Sequence, residues 1–198
     1  MIKTILMDLD GTVYRGNELI SGALDAIKCI REKKLNLFFF TNNSEKNRQQ
    51  IAEKLFGMGI VCDKEHIVNS GYVAIQYVKD HHYSGIFVSG SDVFKEEFIN
   101  SGIKLVNEDE AETLVIGMDS KFDYQKMKKA LNAANCAKRI IACNMEKNFP
   151  CSQNELCPGN GALVAAIIFS SGKTVDEIIG KPNTPMFDYV LKITNNCA

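Results

Sequence analysis

Asp8 and Asp10 stand two residues apart in the run Asp8-Leu9-Asp10-Gly11-Thr12. On an extended chain that spacing points both side chains the same way. Two carboxylates held together repel, and a hard divalent cation such as Mg²⁺ is the usual remedy. One of the pair could then attack an electrophile while the other moves a proton. The same pattern also fits a helix cap or a solvated turn. A second polar run, Thr41-Asn42-Asn43-Ser44, offers a hydroxyl and carboxamide donors suited to clamping an oxyanion. It equally fits a turn in which Asn43 or Ser44 caps the next helix. Lys181, between Gly180 and Pro182, would present its ammonium from a stiff turn and could neutralise a bound phosphate; an exposed loop lysine is the alternative.

Two other glycine-bearing segments do not qualify. Gly172-Lys173-Thr174 ends like a phosphate-binding P-loop, but Ile167 falls where the earlier glycine is required and the segment follows a helix. Gly159-Asn160-Gly161 has Val164 in place of the third glycine of a dinucleotide fingerprint.

The elements that must position these groups alternate between strand and helix. Ile2–Leu9 and Leu35–Phe40 are short apolar runs suited to buried strands. Between them Ser21–Lys34 has Ala23, Ile27 and Ile30 at helical spacing. Strand, helix, strand is a βαβ unit with a right-handed crossover, so the two polar runs converge on the carboxyl edge of one parallel sheet, where ligands bind. A helix follows at about 44–58. Helices are expected at Ser70–Asp80, Ser91–Asn100, Asp123–Asn135 and Gly161–Ser171. Strands are expected at Gly85–Ser89, Thr113–Met118 and Arg139–Cys143, and a last helix at Thr184–Thr194. The middle stretch holds more strands than one small sheet needs. Residues 69–177 are therefore expected to form an inserted α/β domain, with 1–68 and 178–198 making up the other.

Composition narrows the field. Of 198 residues, 45% are apolar and 24% charged, as in an ordinary globular protein, and the net charge is −1. Such a chain has no general field for nucleic acid or an anionic membrane. No apolar run approaches the ~20 residues that span a bilayer. The N-terminus reaches Asp8 before the apolar region of a signal peptide could form. Seven cysteines (29, 62, 136, 143, 151, 157, 197) include no C-x-x-C pair, so they are expected to be reduced thiols of a cytoplasmic protein. Cys136, Cys143, Cys151 and Cys157 lack the close ligand pairs of a zinc site.

Taken together, Asp8-x-Asp10-Gly11-Thr12 after a first strand, Thr41-Asn42-Asn43-Ser44 after a second, and Gly180-Lys181-Pro182 after a long insertion resemble the haloacid dehalogenase superfamily. Within it they look like the NagD-type or 4-nitrophenyl phosphatases, as do the run at 10–14 and Pro158-Gly159-Asn160-Gly161. The resemblance implies an α/β fold, with a three-layer core around a parallel sheet and an inserted α/β cap. It implies Mg²⁺-dependent hydrolysis of small phosphorylated metabolites such as sugar phosphates. Asp8 would be the nucleophile and Asp10 the acid and base. Mg²⁺ would be held by the Asp8 carboxylate and the Asp10 carbonyl. Thr41, Asn42 and Asn43 would bind the phosphoryl group, and Lys181 would balance charge. The cap loop Asn144-Met145-Glu146 puts Glu146 where the family often has an Asp, for substrate selection, although a solvated loop acid fits that position too.

The family's acidic fourth motif would follow the helix after Lys181, yet after Glu177 the only acid is Asp188. The expectation is therefore a core sheet incomplete at its C-terminal side, with an open edge on the first strand. A homodimer could complete it. An inactive binding or assembly module derived from a phosphatase is the alternative function. A D-x-D nucleotide-sugar transferase is disfavoured by Gly11-Thr12 and the Lys181 turn.

Overall fold

A strand sends successive side chains to opposite faces. In Leu37-Phe38-Phe39-Phe40 both faces are apolar, so this strand must be covered on both sides. The computed structural model, which describes residues 2–152 and 155–194, builds two parallel sheets on that principle. In the first, β1 (Thr4–Met7) is followed by a small hairpin, β2 (Tyr14–Arg15) and β3 (Glu18–Leu19), and by helix α1 (Ala23–Glu32). The chain then enters β4 (Asn36–Thr41), α2 (Arg48–Gly57) and β5 (Ile67–Asn69). The strand order is β1-β4-β5, with Met7 opposite Phe39 and Phe40 opposite Val68. Among the described residues, β1 has β4 as its one strand neighbour.

After α3 (Ser70–Asp80) the chain builds the second sheet from β6 (Ile86–Ser89), α4 (Asp92–Asn100), β7 (Thr113–Ile116), α5 (Tyr124–Cys136) and β8 (Arg139–Ala142). A hairpin of β9 (Asn148–Ser152) and β10 (Glu155–Pro158) leads into α6 (Asn160–Ser171). Short β11 (Glu177–Ile178) and α7 (Pro185–Thr194) complete the described chain. The order is β11-β8-β7-β6, all parallel. Proline opens α7, where its missing N–H costs nothing. Gly172 ends α6 in the left-handed region at φ +67.

Apolar side chains sort into three clusters. Leu37 and Phe39 pack with Ile27 of α1 and Ile51 and Leu55 of α2. The opposite face of the first sheet, Phe38, Phe40 and Val68, packs on α3 and α7. The same cluster continues through Val88, Val115 and Ile141 of the second sheet and Phe94 and Phe98 of α4. The far face of that sheet, Leu114, Ile116 and Ile140, packs on Ala130 and Ala133 of α5 and Val164 and Ile167 of α6. Helices α3, α4 and α7 are thus a shared filling between two sheets. No helix among the described residues is long and apolar enough to cross a membrane.

Two expectations change. The helix placed at 44–58 begins at Arg48, because residues 43–47 spend their hydrogen bonds on turns. The Asn43 side-chain Oδ1 accepts from the Glu45 and Lys46 amides, and Asn47 and Gln50 form a reciprocal capping box. The cysteines are not all free thiols. Pairing of β9 with β10 folds Cys151 back to Cys157, with Cα atoms 5.8 Å apart and a disulfide between them. Cys29, Cys62, Cys136 and Cys143 are free, and Cys197 lies outside the described residues.

Candidate active site

The two sheets open their carboxyl ends onto one cleft, as parallel sheets do. Asp8 and Asp10 follow β1, and Thr41 ends β4. Met118 follows β7, Asn144 follows β8, and Lys181 lies beyond β11. All but Lys181 line a cavity of about 300 Å³, together with Glu146 and Asn160. Lys181 reaches in from beneath. Its Nζ donates to Asp8 Oδ1 at 2.5 Å and to the Phe40 carbonyl at 3.2 Å. The peptide that follows it, Lys181–Pro182, is cis.

Asn42 is the hub of this arrangement. It is buried, and its side chain grips the backbone of Lys181 at both ends. Oδ1 accepts from the Lys181 amide at 2.8 Å, and Nδ2 donates to the Lys181 carbonyl at 3.2 Å and to Glu146 Oε1 at 2.9 Å. Its own carbonyl accepts from Ser70 Oγ at 2.6 Å and Asn144 Nδ2 at 2.7 Å. Gly180 makes the approach possible, since a Cβ there would stand 2.6 Å from Asn42 Oδ1 and 2.7 Å from the Cys143 carbonyl. The Asn42 carboxamide is therefore spent on protein groups. Thr41 Oγ1 accepts from the Asn43 amide and donates to Asp10 Oδ2 at a long 3.5 Å. The Asn43 side-chain Oδ1 serves the turn at 45–46.

Charge around Asp10 is balanced from a second direction. Asp10 faces open space, yet the surrounding protein displaces enough water to hold its carboxyl above the usual range. Lys54 opposes that rise most strongly; Asp8 adds to it, and the Thr41 hydrogen bond and Lys181 oppose it. Lys54 sits 3.6 Å over the Tyr14 ring, and burial lowers its own pKa while Asp10 pulls it back up. Burial, with Asp10 and Asp8 nearby, keeps the Tyr14 hydroxyl protonated. Two carboxylates and two ammonium groups thus face each other across the cleft.

Sequence reasoning missed Lys54, and it named Asn144 and Asn160 only as members of the 144–146 loop and the 158–161 run, with no role of their own. Asn160 Nδ2 donates to the Asn144 carbonyl at 2.9 Å and the Ile116 carbonyl at 3.3 Å, while its buried Oδ1 has no partner among the described residues. Nothing in the spacing of these residues links them to the aspartates; their places follow from tertiary packing.

Among the described residues, no three His, Cys, Asp or Glu side chains are grouped to hold a metal. Asp8 and Asp10 offer hard oxygen donors only, and Lys181 leaves Asp8 Oδ2 free. Mg²⁺ is commonly bound through one or two carboxylates, with water and substrate phosphate supplying the rest. The donor set fits that ion.

Comparison with known proteins bears on the same residues. A model of the haloacid dehalogenase-like hydrolases matches residues 5–104. The chain is 32% identical over 192 residues to an acid sugar phosphatase of Staphylococcus epidermidis, covering 96% of this chain and 73% of that protein. It is 35% identical over 181 residues to the sugar-phosphatase AraL of Bacillus subtilis, covering 90% and 66%. A 4-nitrophenylphosphatase of Thermotoga maritima superposes with a TM-score of 0.89 at 31% identity, over 98% of this chain and 74% of that one. The relatives are thus longer than this chain. The matched stretch contains Asp8, Asp10 and the Thr41–Ser44 run, and the superposition extends over both sheets. The chain belongs to the haloacid dehalogenase-like hydrolase family.

Proposed function

We propose that the protein is a Mg²⁺-dependent phosphatase of small phosphorylated metabolites, sugar phosphates among them, working through an aspartyl-phosphate. The observation that carries this reading is Asp8 held on the Lys181 ammonium, beside Asp10 and Thr41, in one cleft at the ends of two parallel sheets. The names of the relatives support the substrate class.

Phosphoryl transfer asks for positioning and charge neutralisation more than for covalent ingenuity. A carboxylate oxygen of Asp8, oriented by Lys181, attacks phosphorus as the phosphorus–leaving-group bond breaks. Asp10, whose carboxyl is kept above the usual range, gives its proton to the departing alkoxide. The resulting carboxylate then takes a proton from water as that water cleaves the acyl phosphate. The Thr41 hydroxyl and the ammonium groups of Lys181 and Lys54 face the charge that develops on the phosphoryl oxygens. Asn42 acts by fixing Lys181. Bound Mg²⁺, held by the Asp8 carboxylate and the Asp10 backbone carbonyl, would neutralise the incoming phosphate.

The division into a core of residues 1–68 and 178–198 and a cap of 69–177 belongs to the same reading. Asn144–Glu146 would then reach the cleft from the cap, with Glu146 beside the leaving group. The test is turnover of 4-nitrophenyl phosphate and of a sugar phosphate with Mg²⁺ or EDTA. Asp8→Asn should lower kcat by a factor on the order of 10³ or more while leaving the fold intact. A folded wild-type chain with no Mg²⁺-dependent turnover above that of Asp8→Asn would reject the proposal and favour a binding module.

A further inference from the structure

We propose that Glu45 is a positioning residue, the link through which the second sheet fixes the Thr41 hydroxyl in the cleft. The inference rests on the reading of Thr41 as part of a phosphatase site. It gives a role to the residue that stands just beyond the Thr41–Ser44 run.

Glu45 follows β4 of the first sheet, yet its side chain is engaged by the second. Oε1 accepts from the Ser120 amide, in the turn after β7, at 2.7 Å and across 75 positions of sequence. The Glu45 carbonyl accepts from Ser91 Oγ, the cap of α4, at 2.9 Å. Beside it the buried Ser44 hydroxyl accepts from the Met118 amide at 2.8 Å. The Ser91 amide in turn donates to the Met118 carbonyl at 3.2 Å. The loop after β4 therefore meets one joined surface at the carboxyl ends of β6 and β7. Of these three crossing bonds, the one to Ser120 has an ionised acceptor, and such bonds are roughly twice as strong as neutral ones.

From Glu45 the bonding runs inward. Its amide donates to Asn43 Oδ1 at 3.0 Å, the Asn43 amide donates to Thr41 Oγ1 at 3.2 Å, and Thr41 Oγ1 donates to Asp10 Oδ2 at 3.5 Å. Ser120, Glu45, Asn43 and Thr41 thus form a contiguous chain of hydrogen bonds from the second sheet to Asp10. Glu45 and Lys46 both line the cleft, so a shift of this loop moves the place where a phosphoryl group would sit. Displacing a reacting group by about 1 Å can cost on the order of 10²-fold in rate. The contact asks for reach rather than charge. Glutamine keeps an acceptor at the same distance from the backbone, whereas aspartate keeps the charge but is one methylene short.

Kinetics of the full chain on 4-nitrophenyl phosphate at saturating Mg²⁺ test this. Glu45→Ala and Glu45→Asp should each lower kcat by about tenfold with KM within about twofold, whereas Glu45→Gln should keep kcat within about threefold of the wild type. Amide hydrogen exchange and NMR shifts read the link without turnover. Ser120 should exchange about tenfold faster in the Ala and Asp variants, and the Thr41 and Asn43 amide resonances should move, while Glu45→Gln stays close to the wild type. Unchanged protection in β4 and β7 would show that the fold survives. A wild-type kcat in Glu45→Ala, with a faster Ser120 amide, would overturn the proposal. So would a Glu45→Asp variant closer to the wild type than Glu45→Gln. A wild-type chain without turnover would reject the phosphatase reading by itself; Thr41 and Asn43 resonances unmoved in Glu45→Ala would then overturn the link.

Discussion

Asn42 shows how much of this site is decided by single side chains. Its carboxamide satisfies both backbone groups of Lys181 and still reaches Glu146. Removing it takes these partners from two partly buried backbone groups and frees the lysine turn. Asn42→Ala is expected to lower kcat on 4-nitrophenyl phosphate by about 10- to 100-fold, with a smaller change in KM, because the lost contact positions Lys181. Steady-state kinetics at saturating Mg²⁺ would check this. Glu97 gives a pH prediction of a different kind. Burial pushes its carboxyl up to about 7, against the opposing pull of Arg48 and Lys64. A carboxyl raised in the fold binds more protons there than in the unfolded chain. The stability it contributes is present below the unfolded pKa of about 4.3 and is lost as pH rises through about 7. Relative to Glu97→Gln, the wild-type Tm should therefore fall between about pH 5 and pH 8. Parallel Tm curves for the two proteins would contradict it.

At the scale of elements, the strongest joints are helix starts that also tie segments together. Asn69 ends β5 and caps α3, accepting from the Tyr72 amide at 3.1 Å, while its Nδ2 donates to the Lys46 carbonyl at 2.8 Å. It is completely buried. Asn69→Ala should cost about 2 kcal/mol, more than an exposed cap, because it also strands the Lys46 carbonyl beside the cleft. Urea unfolding would measure it. The start of α6 is bound as tightly to the loop at 145–146. A Cβ on Gly161 would stand 2.5 Å from the Met145 carbonyl oxygen, and the Gly161 amide donates to the Glu146 carbonyl at 2.9 Å. Gly161→Ala should thus displace the Glu146 loop. It should raise KM for bulky phosphate esters more than for 4-nitrophenyl phosphate, if that loop meets the leaving group.

The whole molecule depends on the filling between its sheets. Phe94 of α4 is 1% exposed and nests among three glycines from different segments. A Cβ on Gly71 of α3 would meet its ring at 3.1 Å, one on Gly90 after β6 at 2.7 Å, and one on Gly117 after β7 at 2.6 Å. These backbones crowd around one ring because none carries a side chain. Phe94→Ala would empty the junction of α3, α4 and the second sheet, at a cost of about 3–5 kcal/mol. Since the middle cluster runs through both sheets, the loss should lower the stability of the whole chain in one transition. Calorimetry that resolved an unaffected transition for either sheet would contradict that.

Much of this architecture was legible beforehand. The helix at Ser70–Asp80 and the strands at 86–89, 113–116 and 139–142 follow from apolar periodicity, a local property of the chain. The short hairpins β2–β3 and β9–β10, and the two-residue β11, carry no such signal. They are held by pairing across the fold, as is the Cys151–Cys157 disulfide. The same contrast runs through the site. Asp8, Asp10, Thr41 and Asn42 could be singled out from residue type and from their places after two apolar strands, and Lys181 from its turn between Gly180 and Pro182, because chemistry and strand polarity are written locally, while the resemblance of the combined motifs favoured the catalytic reading over turn and cap. That Asn42 grips Lys181 across 139 positions, that Lys54 answers Asp10 from the Tyr14 ring, and that Asn160 braces the Asn144 turn are decided only by packing. Each contact joins segments distant in sequence, and their approach is set by which apolar faces cover one another.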